Sequence, residues 1–174
     1  GVTLDHPHGQ IYSFGHIPEI IKRQSIAQQG KPLENYLSKI PEELILKKNS
    51  TGICFVPRWA RYPFEIWIVP YRRAPDIYSL SDDEKKDLAE LMQDASKRLD
   101  GVFDTPMPYT LAWQLSPKGY EDSHHFHLCF QPIRRSKTKL KYLAGVEQIT
   151  GFFLVDLPPE RSARILRGEE QPDE

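Results

Sequence analysis

Phe64-Glu65-Ile66-Trp67-Ile68-Val69-Pro70 is apolar on both of the faces that an extended chain presents. A strand of that kind belongs inside a sheet, with cover on each side. It is therefore read as the central strand, and the other elements are placed around it. Thr51–Pro57, Tyr109–Leu115 and His125–Ile133 are further strands, and residues 6–14 form another. Ser81-Asp82-Asp83-Glu84 is a capping box. Behind it, Leu88, Leu91, Met92, Ala95 and Leu99 fall at three- and four-residue spacings and make one apolar helical stripe. Met92 is thus core rather than ligand. Residues 18–48 hold two helical stretches broken by Gly30, Pro32 and Pro41, and residues 116–123 make a hairpin-like loop. Lys139–Leu143 is a short extended piece, and Ile149–Val155 fits strand or helix equally. Pro158–Leu166 is a short helix with proline in its first turn. This order predicts an α+β fold, a mostly antiparallel sheet with flanking helices packed on one side. Residues 1–168 form the domain, and 169–174 a frayed acidic tail.

Composition narrows the class. A chain of 174 residues suits one domain. With 39% hydrophobic and 27% charged residues it has a core's worth of apolar material and a soluble surface. A formal net charge of -1 favours neither nucleic acid nor an anionic membrane. Arg134, Arg135 and Lys137 are too few, and too poorly mixed with aromatics, for a nucleic-acid surface. They are instead a basic rim for diphosphate or an ordinary charged loop. No apolar run reaches membrane-spanning length. Cys54 and Cys129 are far apart and form no CxxC, so they are read as reduced core thiols of a cytoplasmic protein.

The chemistry concentrates in His6-Pro7-His8-Gly9-Gln10. In an extended segment residues 6, 8 and 10 share a face. Pro7 holds His6 in the extended region. One imidazole can attack phosphorus or bind a metal, and the other can do what the first does not. The Gln10 amide can donate to a phosphoryl oxygen. Gly9 lets the backbone come close to a phosphate. A second constellation, His125-Phe126-His127, puts two imidazoles on one strand face. His124 is expected on the opposite, exposed face, and His16 at the surface.

The stretch Gly1 to Tyr12 resembles the active-site segment of the galactose-1-phosphate uridylyltransferase family, a branch of the histidine-triad superfamily. Tyr62-Pro63-Phe64-Glu65, His125-Phe126-His127, Arg135-Ser136 and Lys141 to Glu147 agree with it in order and rough spacing. The likeness runs from residue 1 to about 168 and covers only the second half of the family's protein. It implies the histidine-triad fold, with two such halves joined into one wider sheet. It also implies His8 as nucleophile, taking UMP from UDP-glucose in a ping-pong reaction and passing it to galactose 1-phosphate. Gln10 would stabilise the phosphoryl oxygens. The implied substrate-binding set is Thr3, Gln10, Lys141 and Glu147. Lys141 would meet the phosphate by charge, and Glu147 would accept from sugar hydroxyls. Two further sugar contacts of the family fall on Val146 and Phe153, which weakens the case for galactose in particular.

The resemblance also implies zinc. His6 sits where the family has a ligand whose partners, two cysteines and a histidine, come from the missing half. A zinc site needs about four ligands, so that site is expected to be incomplete in this chain. His125 and His127 match half of a second metal site. Its glutamate and third histidine fall on Gln24 and Gln114, so it is expected to hold metal poorly.

Two rivals stand beside this reading. One is another nucleotidyltransferase or phosphorylase of the superfamily acting on a different sugar nucleotide. The other is a non-catalytic half that binds nucleotide or forms a dimer surface. The abrupt start before the signature suggests truncation. A half-sheet is expected to self-associate through the Phe64–Pro70 strand and the segment around Ile11.

Overall fold

Two apolar faces on one strand require two covers, and the strand Ile66–Pro70 has both. In the computed structural model, which describes residues 8–173, all five of its residues are buried. Five strands, β1 (Ile45–Lys48), β2 (Gly52–Phe55), β3 (Ile66–Pro70), β4 (Tyr109–Gln114) and β5 (His127–Pro132), form one sheet of order β1-β2-β3-β5-β4. Every pairing is antiparallel. The helices are α1 (Glu19–Ala27), α2 (Pro32–Leu37), α3 (Asp82–Gly101), α4 (Gly145–Thr150) and α5 (Pro159–Leu166), with a 3-10 turn at Glu42–Leu44.

Alternation along β3 sends its side chains into two separate cores. Ile66 and Ile68 pack with Leu88, Leu91, Ala95 and Leu99 of α3 and with Ala163 and Ile165 of α5. Trp67 and Val69 pack with Leu33 and Leu37 of α2, and with Ile40 and Leu44. The expectation of helices on one side is thus corrected: α3 and α5 cover one face, α2 the other. The same two covers correct the expectation that β3 lies exposed for association. The α3 capping box is present in full, with Ser81 Oγ accepting from the Glu84 amide and Glu84 accepting from the Ser81 amide. Arg72 grips that glutamate through Nε at 2.9 Å and Nη2 at 2.7 Å, and holds its carboxyl down at about 2.

The sheet leaves no room at Gly52. A β-carbon there would sit 2.7 Å from the Val69 carbonyl oxygen, because β2 and β3 approach closely. Gly52→Ala must push backbone apart and should cost about 1–3 kcal/mol, the usual range for overpacking. Urea denaturation reads this directly. An unchanged midpoint would mean that the β2–β3 spacing yields freely.

Three local expectations are corrected. Residues 8–14 form no strand, and Ile11, Tyr12 and Phe14 are exposed. Alternation orients side chains only where a ladder holds the backbone, and no strand among the described residues pairs with this stretch. Residues 45–48, read as the end of a helical region, are β1, because Pro41 and the 3-10 turn stop the helix and β2 supplies a partner. The segment that fitted strand or helix divides: α4 ends at Thr150, Gly151 turns with φ 72°, and 152–155 are irregular.

Candidate functional site

His8 and Gln10 lie in the irregular, exposed stretch before α1. The Tyr12 hydroxyl donates to Gln10 Oε1, and the Tyr12 ring stacks on Phe14 with centroids 6.4 Å apart. Thr3 and His6 lie outside the described residues.

His16 is exposed, as expected, but the three histidines leading into β5 are all buried. His124 is completely covered, against the expectation of exposure. The peptide from Ser123 to Phe126 is not yet strand, since β5 starts at His127, so the alternation that would turn His124 outward does not apply. Its Nδ1 lies 2.9 Å from Ser25 Oγ of α1, which itself donates to the Ile21 carbonyl. His125 meets backbone with both ring nitrogens: Nε2 is 2.8 Å from the Pro70 carbonyl, and Nδ1 faces the Ala74 amide at 3.5 Å. A carbonyl can only accept, so Nε2 carries the His125 proton. The His125 amide donates to Gln28 Oε1 at 2.6 Å, which ties α1 to the entry of β5.

His127 stacks on Trp67, with centroids 4.3 Å apart and planes 20° from parallel. Its Nδ1 is 2.9 Å from the His125 carbonyl and so holds the proton, leaving the lone pair on Nε2. Burial pushes the affinity of His127 for a second proton down to about 3, and lowers those of His124 and His125 as well.

These donors do not fit a bound metal. Of the pair expected to form the second site, His125 has both nitrogens committed to backbone, and only His127 offers a lone pair. Gln24 Oε1, His124 Nε2 and His127 Nε2 are all buried without hydrogen-bond partners, but two imidazoles and an uncharged amide oxygen still fall short of the four ligands a zinc site takes. Among the described residues no three histidine, cysteine, aspartate or glutamate side chains come together to hold an ion.

Lys141 and Glu147 do come together. Lys141 Nζ lies 2.8 Å from Glu147 Oε1 and donates to the Leu154 carbonyl at 2.9 Å. Glu147 also accepts from the amides of Ala144 at 2.6 Å and Leu154 at 2.8 Å. Lys141 foremost, then these amides, holds its carboxyl down at about 2. The pair is a covered clasp that closes the loop 141–154. Tyr62 lies under the clasp: its ring is 5.8 Å from Lys141 Nζ and 5.7 Å from the Phe153 ring, and Arg61 lies over Phe153.

What presents Tyr62 is Glu65, a residue sequence reasoning left without a role. Its carboxylate is fully buried. Oε2 accepts from the amides of Arg61 and Tyr62 at 2.7 and 3.2 Å. Oε1 accepts from the Trp67 indole at 2.8 Å and the Cys129 thiol at 3.3 Å. One side chain therefore fixes the turn that carries Tyr62, the indole against His127, and the join of β3 to β5. The signal was available in the sequence: a single carboxylate inside an apolar run must be paired or heavily hydrogen-bonded. Both cysteines are free and buried.

An exposed histidine segment, a buried histidine cluster at the head of β5 and a clasped loop after it, on an antiparallel sheet, define a histidine-triad-like fold. The chain belongs to the family of the galactose-1-phosphate uridyl transferase C-terminal domain, whose model matches residues 22–172. It is 35% identical over 180 residues to the galactose-1-phosphate uridylyltransferase of Thermotoga maritima, covering 98% of this chain and 57% of that protein. The Haemophilus influenzae protein of the same name is 31% identical, over 96% of this chain and 51% of its own length. A solved uridylyltransferase structure superposes with a TM-score of 0.87 at 29% identity, over 97% of this chain and 56% of that one. A Hit-like protein of Bartonella henselae shares the fold, with a TM-score of 0.53 at 12% identity over 81% of this chain and 94% of its own. The chain spans about half the length of the curated relatives it matches.

Proposed function

We propose that this domain supplies the nucleophilic histidine of a UDP-glucose–hexose-1-phosphate uridylyltransferase. The observation that carries the reading is family membership over residues 22–172 together with His-Pro-His-Gly-Gln just ahead of them. His8 attacks the α-phosphorus of UDP-glucose, the bond to glucose 1-phosphate breaks, and UMP stays on the ring nitrogen. Galactose 1-phosphate then takes the UMP and frees His8. Splitting the transfer in this way gives two displacements with a good leaving group in each. Gln10 donates to the equatorial oxygens as their charge grows. Thr3 and Gln10 contact the nucleotide. The sugar phosphate lies against the loop 141–147, whose Lys141–Glu147 clasp sets its shape. Val146 and Phe153 stand where the family has polar sugar contacts, which weakens the case for galactose in particular.

The domain works beside an N-terminal half. The relatives are about twice as long, and zinc in the intact protein would need ligands for His6 that this chain does not supply. That half, or a second copy, covers Ile11, Tyr12 and Phe14, so a homo-oligomer is expected where the half is missing. The reaction belongs to galactose metabolism in the cytoplasm. No described helix is long and apolar enough to cross a membrane. The test is turnover of UDP-glucose and galactose 1-phosphate. The chain alone should be inactive, and adding a relative's N-terminal half should restore turnover. A restored mixture that binds UDP-glucose without turnover would favour a binding half instead.

A further inference from the structure

We propose that the cavity between the turn after β5 and helix α5 binds a small phosphate-bearing anion, and that Asp173 fills its guanidinium fork in the free protein. The cavity measures about 290 Å³ and is lined by Arg135, Ser136, Lys139, Asp156, Arg161 and Asp173 among others. That is roughly ten water volumes, enough for a phosphate group with a small substituent. Its lining includes neither Lys141 nor Glu147 of the clasp, and anion binding there does not depend on the uridylyl-transfer reading.

Its electrostatics are those of an anion site already holding a substitute. Arg161 donates from Nη1 and Nη2 to the two oxygens of Asp173, at 2.7 and 2.6 Å. This parallel fork is the geometry that phosphate takes equally well. The guanidinium is aimed by a second carboxylate. Glu170 accepts from Arg161 Nε at 2.6 Å and from Arg164 Nε at 2.9 Å. Asp173 is held far less firmly than Arg161, since its side chain is 79% exposed against 28%. Exposed pairs of that kind contribute little. Arg135 is paired to Asp156. The Lys139 ammonium makes no ion pair, and the Ser136 hydroxyl no hydrogen bond, among the described residues. Both line the same cavity. A phosphate dianion would take the fork from Asp173, bring more charge to it, and add Lys139 and Ser136 as partners.

The test is a titration of the full chain with inorganic phosphate and with glucose 1-phosphate at fixed chloride, followed by the amide resonances of Ser136, Lys139 and Arg161. Saturable shifts confined to these positions are expected. Asp173→Asn removes the competitor and should tighten binding about two- to fivefold. Arg161→Gln should weaken it about tenfold or more. Arg161→Lys keeps the charge without the fork, and should weaken binding if the glutamine variant does not fold. Tighter binding of the ester than of the inorganic ion assigns the site to a phosphate ester, and equal binding to the phosphate group alone. Asp173→Asn leaving affinity unchanged, or no saturable binding in either protein, would overturn the proposal.

Discussion

Glu65→Ala is expected to cost about 3–5 kcal/mol of folding stability, the range seen when one partner of a buried charged network is removed. The carboxylate accepts two backbone amides, an indole and a thiol inside a closed interior. Alanine takes the acceptor away and leaves the donors where they are. Each strands about 1–3 kcal/mol of desolvation, less whatever the turn recovers by relaxing. Phe64 makes that relaxation hard, because it already sits at φ 60° in the left-handed region. Glu65→Gln keeps the shape and one acceptor, and should lose clearly less. Urea denaturation followed by tryptophan fluorescence measures both, since Trp67 reports from the site itself. A loss under about 1 kcal/mol for alanine would show that the turn stands without Glu65.

Stability should fall on mild acidification, before the carboxylates titrate. His124, His125 and His127 are buried neutral, and all three take up protons less readily than in an unfolded chain. The unfolded state therefore binds more protons than the folded one below about pH 6.5, so stability drops as pH falls. His127 alone, with its folded value at about 3, contributes a slope near 1.4 kcal/mol per pH unit through that window. Between pH 6.5 and 5 that is about 2 kcal/mol from this one residue. The depressed carboxylates of Glu84 and Glu147 act in the same direction but lower, between their ordinary range and about 2. Denaturation midpoints at half-unit intervals separate the two windows. His127→Gln should make the upper one shallower while His124 and His125 keep part of it, and a flat profile from pH 7 to 5 in the unsubstituted chain would contradict the buried neutral cluster.

The central strand, the α3 capping box and the β4–β5 hairpin were legible because each rests on local chemistry: two-face apolarity, a Ser-x-x-Glu cap, and turn residues between two apolar runs. Where partners decide, local pattern misled. His6, His8 and Gln10 alternate as a strand would, yet the described part, from His8 on, finds no ladder. Residues 45–48 carry weak helical character and become a strand because β2 lies alongside. His124 looked outward on alternation alone, but the residue lies before the strand starts, and Ser25 from α1 meets it there. The clasp of Lys141 to Glu147 is a six-residue separation closed by the amides of Ala144 and Leu154, and no spacing rule announces it. The role proposed for His8 rests on the resemblance of its segment to the family, not on geometry in this chain.

That role is the claim to test most directly. In the protein of the relatives' full length, incubation with UDP-glucose labelled in the uridylyl group should leave UMP on His8, lost in acid and stable in base as a phosphoramidate is. His8→Ala should carry no label, while His127→Gln should still be labelled if folded. Label that persists in His8→Ala would place the covalent step on another residue and contradict the account.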